Sequence, residues 1–353
     1  MAYTNIDNPE LYFQAKLYSG NASTNAITLD GSENMRPDWL WIKCRSHADS
    51  SQLFDVLRGT NALRSDDTHA DADASSNGFT SFDSNGFTLN GSNGGGNVNN
   101  SGRTYAAWNW NANGSGSSNS DGSITSSVSA NTTAGFSIVS WTGTAANATV
   151  GHGLGVAPKV IIVKNRIDTT NWNVFHESVG NTGSLYLNSN QTTETYQPFW
   201  NNTSPTSSVF TVGSDGATNG SSDAMIAYCF ADVQGYSKFG SYTGNGNADG
   251  AFVYCGFEPA FVIIKGAASG DGTAAQHWEM YDNKRNVFNP QNKALFPSLN
   301  SAESTESRIN FLSNGFKAII NSDGVNDNNS TYIFMAFAES PFVNSSGVPN
   351  NAR

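Results

Sequence analysis

The chain has 353 residues, a formal net charge of −11 at pH 7 and a charged fraction of only 13%. Nucleic-acid binding needs a basic face, so this acidic balance and the lack of any Lys/Arg cluster exclude that class of function. Intrinsic disorder is excluded too, because 8 Trp, 12 Tyr and 21 Phe provide material for a core that a disordered chain lacks.

Residues 1–13 form a short lead-in before the first repeated unit. They contain no basic region followed by an apolar run, so we predict no secretory signal peptide. The chain also lacks an apolar run of the ~18 residues that a membrane span requires, so we predict no membrane insertion. We expect the apolar and aromatic side chains of the lead-in to anchor the chain to a partner protein: Tyr3, Ile6, Leu11, Tyr12 and Phe13.

An internal repeat dominates the rest of the chain. Each copy contains a proline, an apolar strand-like run and then a lysine, at residues 37–43, 158–164 and 259–265. Upstream of each run stands an aromatic residue two positions before a glycine, namely Tyr18, Trp141 and Tyr242. A repeat on the scale of about a hundred residues predicts three copies of one module.

Within each copy, short runs of β-branched and aromatic residues are bounded by Asn-Gly, Asp-Gly or Ser-Gly turns. This pattern predicts an all-β fold of three tandem β-sandwich modules, jelly-roll or lectin-like, with a barrel as the second architecture. The proline-to-lysine runs are apolar on both faces, which predicts central strands covered on both sides. The sequence predicts a hairpin over residues 79–89 and one or two helical turns over residues 50–57.

The predicted boundaries follow from the composition of the chain. The first module covers residues 14–113, and a Gly/Ser/Asn-rich linker covers residues 114–134. The second and third modules cover residues 135–232 and 238–342, and a C-terminal tail covers residues 343–353. Three cysteines, Cys44, Cys229 and Cys255, lack the spacing of a metal site, so we predict buried thiols, with a Cys229–Cys255 disulfide as the alternative.

Catalytic and metal-binding patterns are weak in this sequence. Glu177, Glu194, Glu258 and Glu279 lie in aromatic surroundings and are candidates for glycoside hydrolysis, but their spacing pairs none of them. One acidic run has alternating carboxylates that could bind a calcium ion. It contains Asp66, Asp67, Asp71 and Asp73. A solvated acidic loop is the alternative interpretation. We predict no cofactor apart from this candidate calcium.

Aromatic residues provide the best candidates for ligand binding, because Trp and Tyr rings stack on sugar faces while neighbouring amides bond the hydroxyls. Tyr196 and Trp200 lie in a polar segment with Asn201 and Asn202, and Trp110 ends the closing strand of the first module. We predict that Tyr196, Trp200 and Trp110 contact a ligand. Trp172 and Trp278 recur at equivalent positions, which predicts core packing for both.

Several segments together resemble a known family. They are MAYTNIDNPELYFQ at 1–14, LYSGN at 17–21, PDWLWIK at 37–43, LFDVLRG at 53–59, GFTL at 86–89, TYAAWNW at 104–110, GHGLG at 151–155 and PKVIIVKNR at 158–166. The set is similar to an uncharacterised family of marine bacteriophage virion structural proteins of the cyanophage type. The resemblance implies a virion component and brings no catalytic residues to this chain.

Together these observations lead us to expect a non-enzymatic virion structural protein on the particle exterior, synthesised in the host cytoplasm. The favoured role is a fibre or appendage component that recognises a host-surface glycan as a homo-oligomer attached to other virion proteins. A capsid decoration or knob protein with a purely structural role is the alternative, and a glycan-degrading enzyme is the third. Deleting residues 1–13 is expected to abolish particle attachment and to leave folding intact.

Overall fold

A computed structural model describes residues 3–71, 78–91, 97–268, 270 and 276–350. Its regular structure is almost entirely β, which confirms the predicted all-β class. All strand pairs of its sheets are antiparallel. Neither of the two α-helices among these residues, each four residues long, has the length or apolar character needed to cross a membrane.

The first group of strands follows a single 3-10 turn at Pro9–Leu11. It comprises β1 (Phe13–Ser19), β2 (Asn25–Thr28), β3 (Trp39–Cys44), β4 (Gln52–Asp55), β5 (Phe79–Asp83), β6 (Gly86–Leu89) and β7 (Thr104–Trp110). One sheet has the order β1-β7-β3-β4 and the other the order β2-β6-β5. The β5–β6 hairpin confirms the turn predicted there, whereas the helix predicted over residues 50–57 was wrong, because β4 pairs with β3.

The second group begins inside the segment predicted as a linker. It comprises β8 (Ser117–Asn119), β9 (Ser126–Asn131), β10 (Phe136–Thr142), β11 (Ala148–Gly151), β12 (Val160–Asn165), β13 (Asn173–His176), β14 (Gly183–Tyr186), β15 (Glu194–Thr195), α1 (Gln197–Trp200), β16 (Val209–Val212), α2 (Gly216–Asn219) and β17 (Ala224–Phe230). The sheets are β15-β14-β13-β12-β17-β10-β9-β8 and β11-β16. Residues 114–134 are therefore not a flexible linker, since β8 and β9 extend the larger sheet.

The third group completes the chain. It comprises β18 (Ser237–Thr243), β19 (Phe252–Tyr254), β20 (Phe257–Ala268), β21 (Glu279–Asp282), β22 (Gln291–Ala294), β23 (Ser304–Leu312), β24 (Gly315–Ala318) and β25 (Thr331–Pro341). Its sheets have the orders β18-β25-β20-β21 and β19-β24-β23-β22. In the predicted C-terminal tail, Val343 forms an isolated bridge with Pro349, and Ser345 bonds to Asp7 near the start of the chain.

One strand order recurs in all three groups. The first, last, third and fourth strands lie side by side as β1-β7-β3-β4, β10-β17-β12-β13 and β18-β25-β20-β21, and the second strand pairs with the one before the last as β2-β6, β11-β16 and β19-β24. We call residues 13–110, 136–230 and 237–341 the first, second and third repeats. The proline-to-lysine runs form β3, β12 and β20, which are central strands buried on both faces, as predicted.

The repeats pack against one another through a shared aromatic cluster, which we call the central core. Trp39 of the first repeat stacks on Tyr228 of the second with ring centroids 4.4 Å apart. Phe13 stacks on Phe337 of the third repeat at 5.4 Å, and Phe230 meets the same ring at 5.9 Å. Burying these rings between sheets contributes on the order of 2 kcal/mol for each side chain, so the repeats stabilise one another.

Polar contacts join the same repeats in a ring. The Tyr228 hydroxyl donates to Asp55 Oδ2 at 2.8 Å, which links the second repeat to the first. Trp108 Nε1 donates to Asp282 Oδ2 at 3.0 Å, which links the first to the third. His176 Nε2 lies 3.4 Å from the carbonyl oxygen of Phe334, which links the second to the third. The three contacts close a cycle within one chain.

The three cysteines are buried and free, which confirms the predicted thiols and shows that the Cys229–Cys255 disulfide alternative was wrong. Burial raises the pKa of the Cys44 thiol above its usual value, and it raises the pKa of Cys229 and Cys255 still further. These thiols are therefore neutral, unreactive core groups at physiological pH.

Candidate functional site

Loops at the ends of the strands are held in place by a buried asparagine in each repeat. Each of these tether asparagines lies five positions before its closing strand; they are Asn99, Asn219 and Asn326. Each Nδ2 donates to a backbone carbonyl oxygen at 2.7 Å, on Ser23, Ala146 and Asn247 respectively. Each Oδ1 accepts a backbone N–H from the same turn. The turn after the first strand is thus fixed in the same way three times.

A glycine lies where each tethered turn meets the backbone. A Cβ atom added at Gly20, Gly143 or Gly244 would collide with a backbone carbonyl oxygen across the turn. This close approach explains why an aromatic residue is followed two positions later by glycine in every repeat. The sequence analysis identified the repeated glycines but missed the tether asparagines. The shared spacing of these asparagines, five positions before each closing strand, could have revealed them.

Three lysines tie the repeats to neighbouring loops. Lys164 Nζ donates to the carbonyl of Thr68 at 3.2 Å, and Lys265 Nζ donates to the carbonyl of Asn190 at 3.0 Å. Lys43 Nζ donates to the carbonyl of Asp49 at 2.6 Å. Burial lowers the pKa of Lys43 and Lys164 to about 8 and that of Lys265 to about 7. Their carbonyl partners identify them as clamps between elements of the fold.

The predicted ligand-binding aromatics do not come together. Tyr196 precedes α1 and is 44% exposed, whereas Trp200 at the end of α1 is 1% exposed and packs edge-on against Phe175. Trp110 is 2% exposed and packs against Trp39 in the central core, with ring centroids 4.4 Å apart. The prediction is corrected for Trp110 and Trp200, because neither ring has a face open to a sugar. Trp172 and Trp278 are buried, as predicted.

An open groove lies beside α1 in the second repeat. Its volume is about 400 Å³, and its lining is mostly hydroxyl and amide side chains: Ser123, Asn147, Ala148, Thr149, Asn201, Thr203 and Thr211. We call it the polar groove. Asn201 Oδ1 accepts from Asn147 Nδ2 at 3.0 Å and from Gln197 Nε2 at 2.7 Å. These two donors fix the Asn201 amide, and its Nδ2 has no acceptor among the described residues, so it is available to a ligand.

The lead-in docks on the chain itself. Phe13 and Ile6 are buried in the central core, and the Phe13 ring lies 5.6 Å from that of Phe261. The Tyr3 hydroxyl donates to the carbonyl of Gly256 at 2.9 Å, and Tyr12 meets Tyr236 edge-on at 5.8 Å. Leu11 alone of the predicted anchoring residues is exposed.

These contacts correct one expectation about the lead-in. Removing residues 1–13 would expose the core that Ile6 and Phe13 cover, so folding would not stay intact. Truncating one buried phenylalanine alone costs about 3–5 kcal/mol. The anchoring role expected for these side chains is therefore filled inside the molecule, with Leu11 as the exception.

The acidic run faces arginines instead of forming a ligand set for calcium. Asp71 pairs with Arg58 at 3.2 Å and with Arg166 at 2.6 Å, and Asp67 pairs with Arg64 at 3.3 Å. Asp66 accepts the backbone N–H of Ser51 at 3.1 Å, and Asp73 lies outside the described residues. No cluster of three metal-ligating side chains occurs in the part of the chain that the structure describes.

The candidate glutamates are engaged separately. Glu177 pairs with Lys159, Glu194 accepts the hydroxyl of Tyr186, and Glu258 is buried. Glu279 pairs with Arg308 at 2.5 Å, and its burial raises the pKa of its carboxyl group. The four glutamates lie on four different strands or turns. The carboxylates of Glu177, Glu194 and Glu279 are each engaged by the partner named above.

Comparison with known proteins places this architecture in one family. A family model described as Domain of unknown function (DUF7483) matches residues 8–341, which span all three repeats and the tether asparagines. No curated protein and no solved structure matches the chain.

Proposed function

The chain belongs to the DUF7483 family, and we propose that it is a non-enzymatic structural protein on the exterior of a phage particle. Its role in this proposal is that of a fibre or appendage component that binds a host-surface glycan. The three repeats are then three lectin-like or jelly-roll β-sandwich modules, and the protein acts as a homo-oligomer among other virion proteins after synthesis in the host cytoplasm.

The observation that carries this proposal is the polar groove on a rigid support. The groove presents amides and hydroxyls, and the loops around it are held by Asn219, which bonds the backbone at Thr144 and Ala146. Rigid loops lose little conformational freedom on binding, which favours recognition of a flexible, hydrated ligand. Sugars bind through such hydroxyl and amide contacts, together with an exposed aromatic face.

Tyr196 is the aromatic residue that fits this site. It stands immediately before α1, and Asn201 of the polar groove stands immediately after α1. The Tyr196 ring is supported edge-on by Phe199 at 4.8 Å, and the residue is 44% exposed. Several copies in one appendage would offset the weak affinity of a single shallow groove.

The test is a glycan-array screen with the full chain, followed by titration of the sugars that bind. Tyr196→Ala and Asn201→Gly are each expected to weaken binding about tenfold, which corresponds to about 1.4 kcal/mol. Glycine suits position 201, where the backbone φ is 49°. Tyr254→Ala is the matched control, because Tyr254 is also an exposed tyrosine but lies in the third repeat. Binding that survives Tyr196→Ala and Asn201→Gly would remove the polar groove from the proposal.

A capsid decoration or knob protein is the second candidate, favoured by one apolar loop. Phe288 is 80% exposed and its neighbour Val287 is exposed as well. The loop is held in shape by Asn286 Nδ2, which donates to the Phe288 carbonyl at 3.1 Å, and by Asn289 Nδ2, which donates to the Phe311 carbonyl at 2.6 Å. A fixed apolar tip of this kind suits contact with another subunit.

Cryo-electron microscopy of particles with and without the protein separates the two roles. Density at a tail or fibre tip supports recognition, and the glycan titration then identifies the ligand. Density spread across the capsid lattice, with Phe288 at a subunit contact, supports decoration instead. Absence of the protein from the particle would contradict both.

A further inference from the structure

One side of the second repeat is closed by an extended segment of the chain, residues 123–131. β9 in this segment pairs with β10, so it covers the edge of the larger sheet. The same segment reaches the smaller sheet, where Ile124 N–H donates to the Thr149 carbonyl at 3.0 Å and Ser126 Oγ donates to the Gly151 carbonyl at 2.9 Å. A single strand therefore seals the opening between two sheet edges.

Val128 fills the space under this strand. It is buried, and a Cβ atom added at Gly153 would come within 3.0 Å of Val128 Cγ1. Gly153 has a positive φ of 70°, in the left-handed region that favours glycine. The covering strand thus inserts one small apolar side chain directly beside a glycine.

The third repeat has the same framework on this side. His152 N–H bonds to the Ser208 carbonyl at 3.2 Å, and Cys255 N–H bonds to the Asn314 carbonyl at 2.9 Å in the equivalent place. Gly256, which follows Cys255 as Gly153 follows His152, has a positive φ of 82°. By this correspondence Phe252 and Tyr254 are equivalent to Thr149 and Gly151, the two residues whose carbonyls the covering segment bonds.

The third repeat has no covering strand among its described residues, since β18 and β19 are both edge strands. A cleft of about 430 Å³ lies there instead, which we call the edge cleft. It is lined by Tyr3, Asp232, Gln234, Gly235, Ser237, Lys238, Tyr254, Cys255 and Gly256. Tyr254 is 54% exposed and Phe252 is exposed beside it. Beside Gly256, the place that Val128 takes beside Gly153 is held by Tyr3, whose hydroxyl would lie 2.8 Å from a Cβ atom added at Gly256.

The backbone of β19 is available for pairing. Cys255 N–H bonds to the Asn314 carbonyl and Ala318 N–H bonds to the Ala251 carbonyl, so the intervening Phe252 and Tyr254 turn their backbone groups away from β24. No donor reaches either carbonyl within the described part of the chain. On β18, by contrast, the Phe239 N–H is already satisfied by Asp232 Oδ1 at 2.8 Å. The acceptor edge of the cleft is therefore β19.

We propose that the edge cleft binds an extended, uncharged peptide segment of another protein, which pairs along β19 and packs against the exposed ring of Tyr254. The pairing of residues 123–131 in the second repeat is the established example of this interface within the same chain. Binding by strand addition takes affinity from main-chain hydrogen bonds and specificity from alternate side chains. The site goes beyond the proposed glycan recognition and would attach this protein to a neighbour.

The chemistry of the occupant follows from the covering segment. Residues 123–131 are uncharged and consist of Ser, Thr, Ile, Val, Ala and Asn. At the edge cleft, Lys238 pairs with Asp232 at 2.8 Å, so the charges of the cleft satisfy each other. A second copy of this chain does not supply the segment, because its own residues 123–131 are built into its second repeat.

A synthetic peptide with the sequence of residues 123–131 is the probe, added to the full chain. Hydrogen exchange is expected to slow at Phe252 and Tyr254, whose amides gain partners, and calorimetry is expected to report binding. Tyr254→Ala should weaken this binding about tenfold through loss of ring contact. Phe288→Ala, which removes an exposed ring from another loop, and Tyr196→Ala, at the polar groove, are controls expected to bind the peptide normally.

A second peptide, carrying Ile124→Pro, tests the main-chain pairing along β19. Proline lacks the N–H that Ile124 donates to the Thr149 carbonyl in the second repeat, so binding of this peptide to β19 is expected to be lost. The proposal is overturned if the first peptide gives no protection at Phe252 and Tyr254 at about 1 mM, a concentration that reveals even weak complexes. Equal binding of the two peptides, or protection confined to the second repeat, would overturn it as well.

Discussion

Two of the three contacts that join the repeats use a carboxylate and an arginine, whereas the third uses a histidine. Asp55 and Asp282 occupy the end of β4 and β21, and each pairs with an arginine three positions later at 2.6 Å, Arg58 and Arg285. His176 occupies the equivalent end of β13. The same position in the fold therefore makes two contacts through a carboxylate paired with an arginine and one through an imidazole that can take up a proton.

The histidine contact has a defined protonation state. Ser178 N–H donates to His176 Nδ1 at 3.1 Å, so Nδ1 is the acceptor and Nε2 carries the proton that faces the Phe334 carbonyl. Burial lowers the pKa of His176 to about 4. A neutral ring suits this site, whereas a charged ring would lose the bond from Ser178. Equivalent interfaces in one chain can therefore respond differently to a change in pH.

The largest effect should come from breaking an arginine contact. Arg58→Met leaves Asp55 buried with only the Tyr228 hydroxyl as a side-chain partner, and removal of one member of a buried ion pair costs about 3–5 kcal/mol. Urea denaturation should show this loss in the free energy of unfolding. Arg64→Met is the control, because its pair with Asp67 is partly exposed and exposed pairs contribute less than about 1 kcal/mol. Equal losses for both variants would contradict a special role for Arg58.

A smaller, pH-dependent effect is expected at the histidine contact. The folded pKa of about 4 lies below the value of about 6.5 for an unfolded chain, so the unfolded state binds more protons between these values. Stability from His176 is thus complete above pH 6.5 and is lost as the pH falls towards 4, by up to about 3 kcal/mol. The groups facing the ring are the Phe334 carbonyl, the Ser178 N–H, Glu177 and Lys159.

The measurement is the free energy of unfolding at pH 7 and pH 4.5 for the parent chain and for His176→Gln. The variant should lose most of the difference between the two pH values. His47→Gln, which changes an exposed histidine, should keep it. If His176→Gln leaves the pH dependence unchanged, the acid sensitivity resides elsewhere.

The smallest effect should come from Tyr228→Phe. This change removes the hydroxyl that bonds Asp55 at 2.8 Å but keeps the ring and the Arg58 pair, so a loss of about 1–2 kcal/mol is expected. Thermal unfolding checks it, with Tyr196→Phe as the control at an exposed tyrosine. A loss as large as that of Arg58→Met would show that the hydroxyl and the arginine act as one network.

Part of this architecture was predictable because the signals were local. The strands β3, β12 and β20 carry apolar residues on both faces, and that pattern identifies a central strand in any sheet. The buried thiols and the repeated Trp172 and Trp278 followed from composition and spacing in the same way. Such inferences need only the residues of one short segment.

The failures have a common cause, since each depended on a partner distant in sequence. The Ser/Asn-rich sequence of β9 is typical of a flexible segment. Its stability comes from pairing with β10 and from Val128 beside Gly153, and neither contact is visible in that short sequence. Trp110 looks like half-exposed surface until the third repeat covers it. Tyr196 is exposed, as the polar segment on both sides of it favours, and its contact with a ligand stays a prediction.

The cycle of contacts between the repeats has a consequence for assembly. A ring assembled from three separate chains dissociates on dilution, because a lower concentration shifts the equilibrium towards free subunits. Here the peptide backbone holds the partners at a high effective concentration, so closure is intramolecular. The compact state should persist at any dilution. Because each of the three contacts is encoded by its own residues, a substitution at one contact leaves the other two unchanged, whereas in a ring of identical chains it would alter all three.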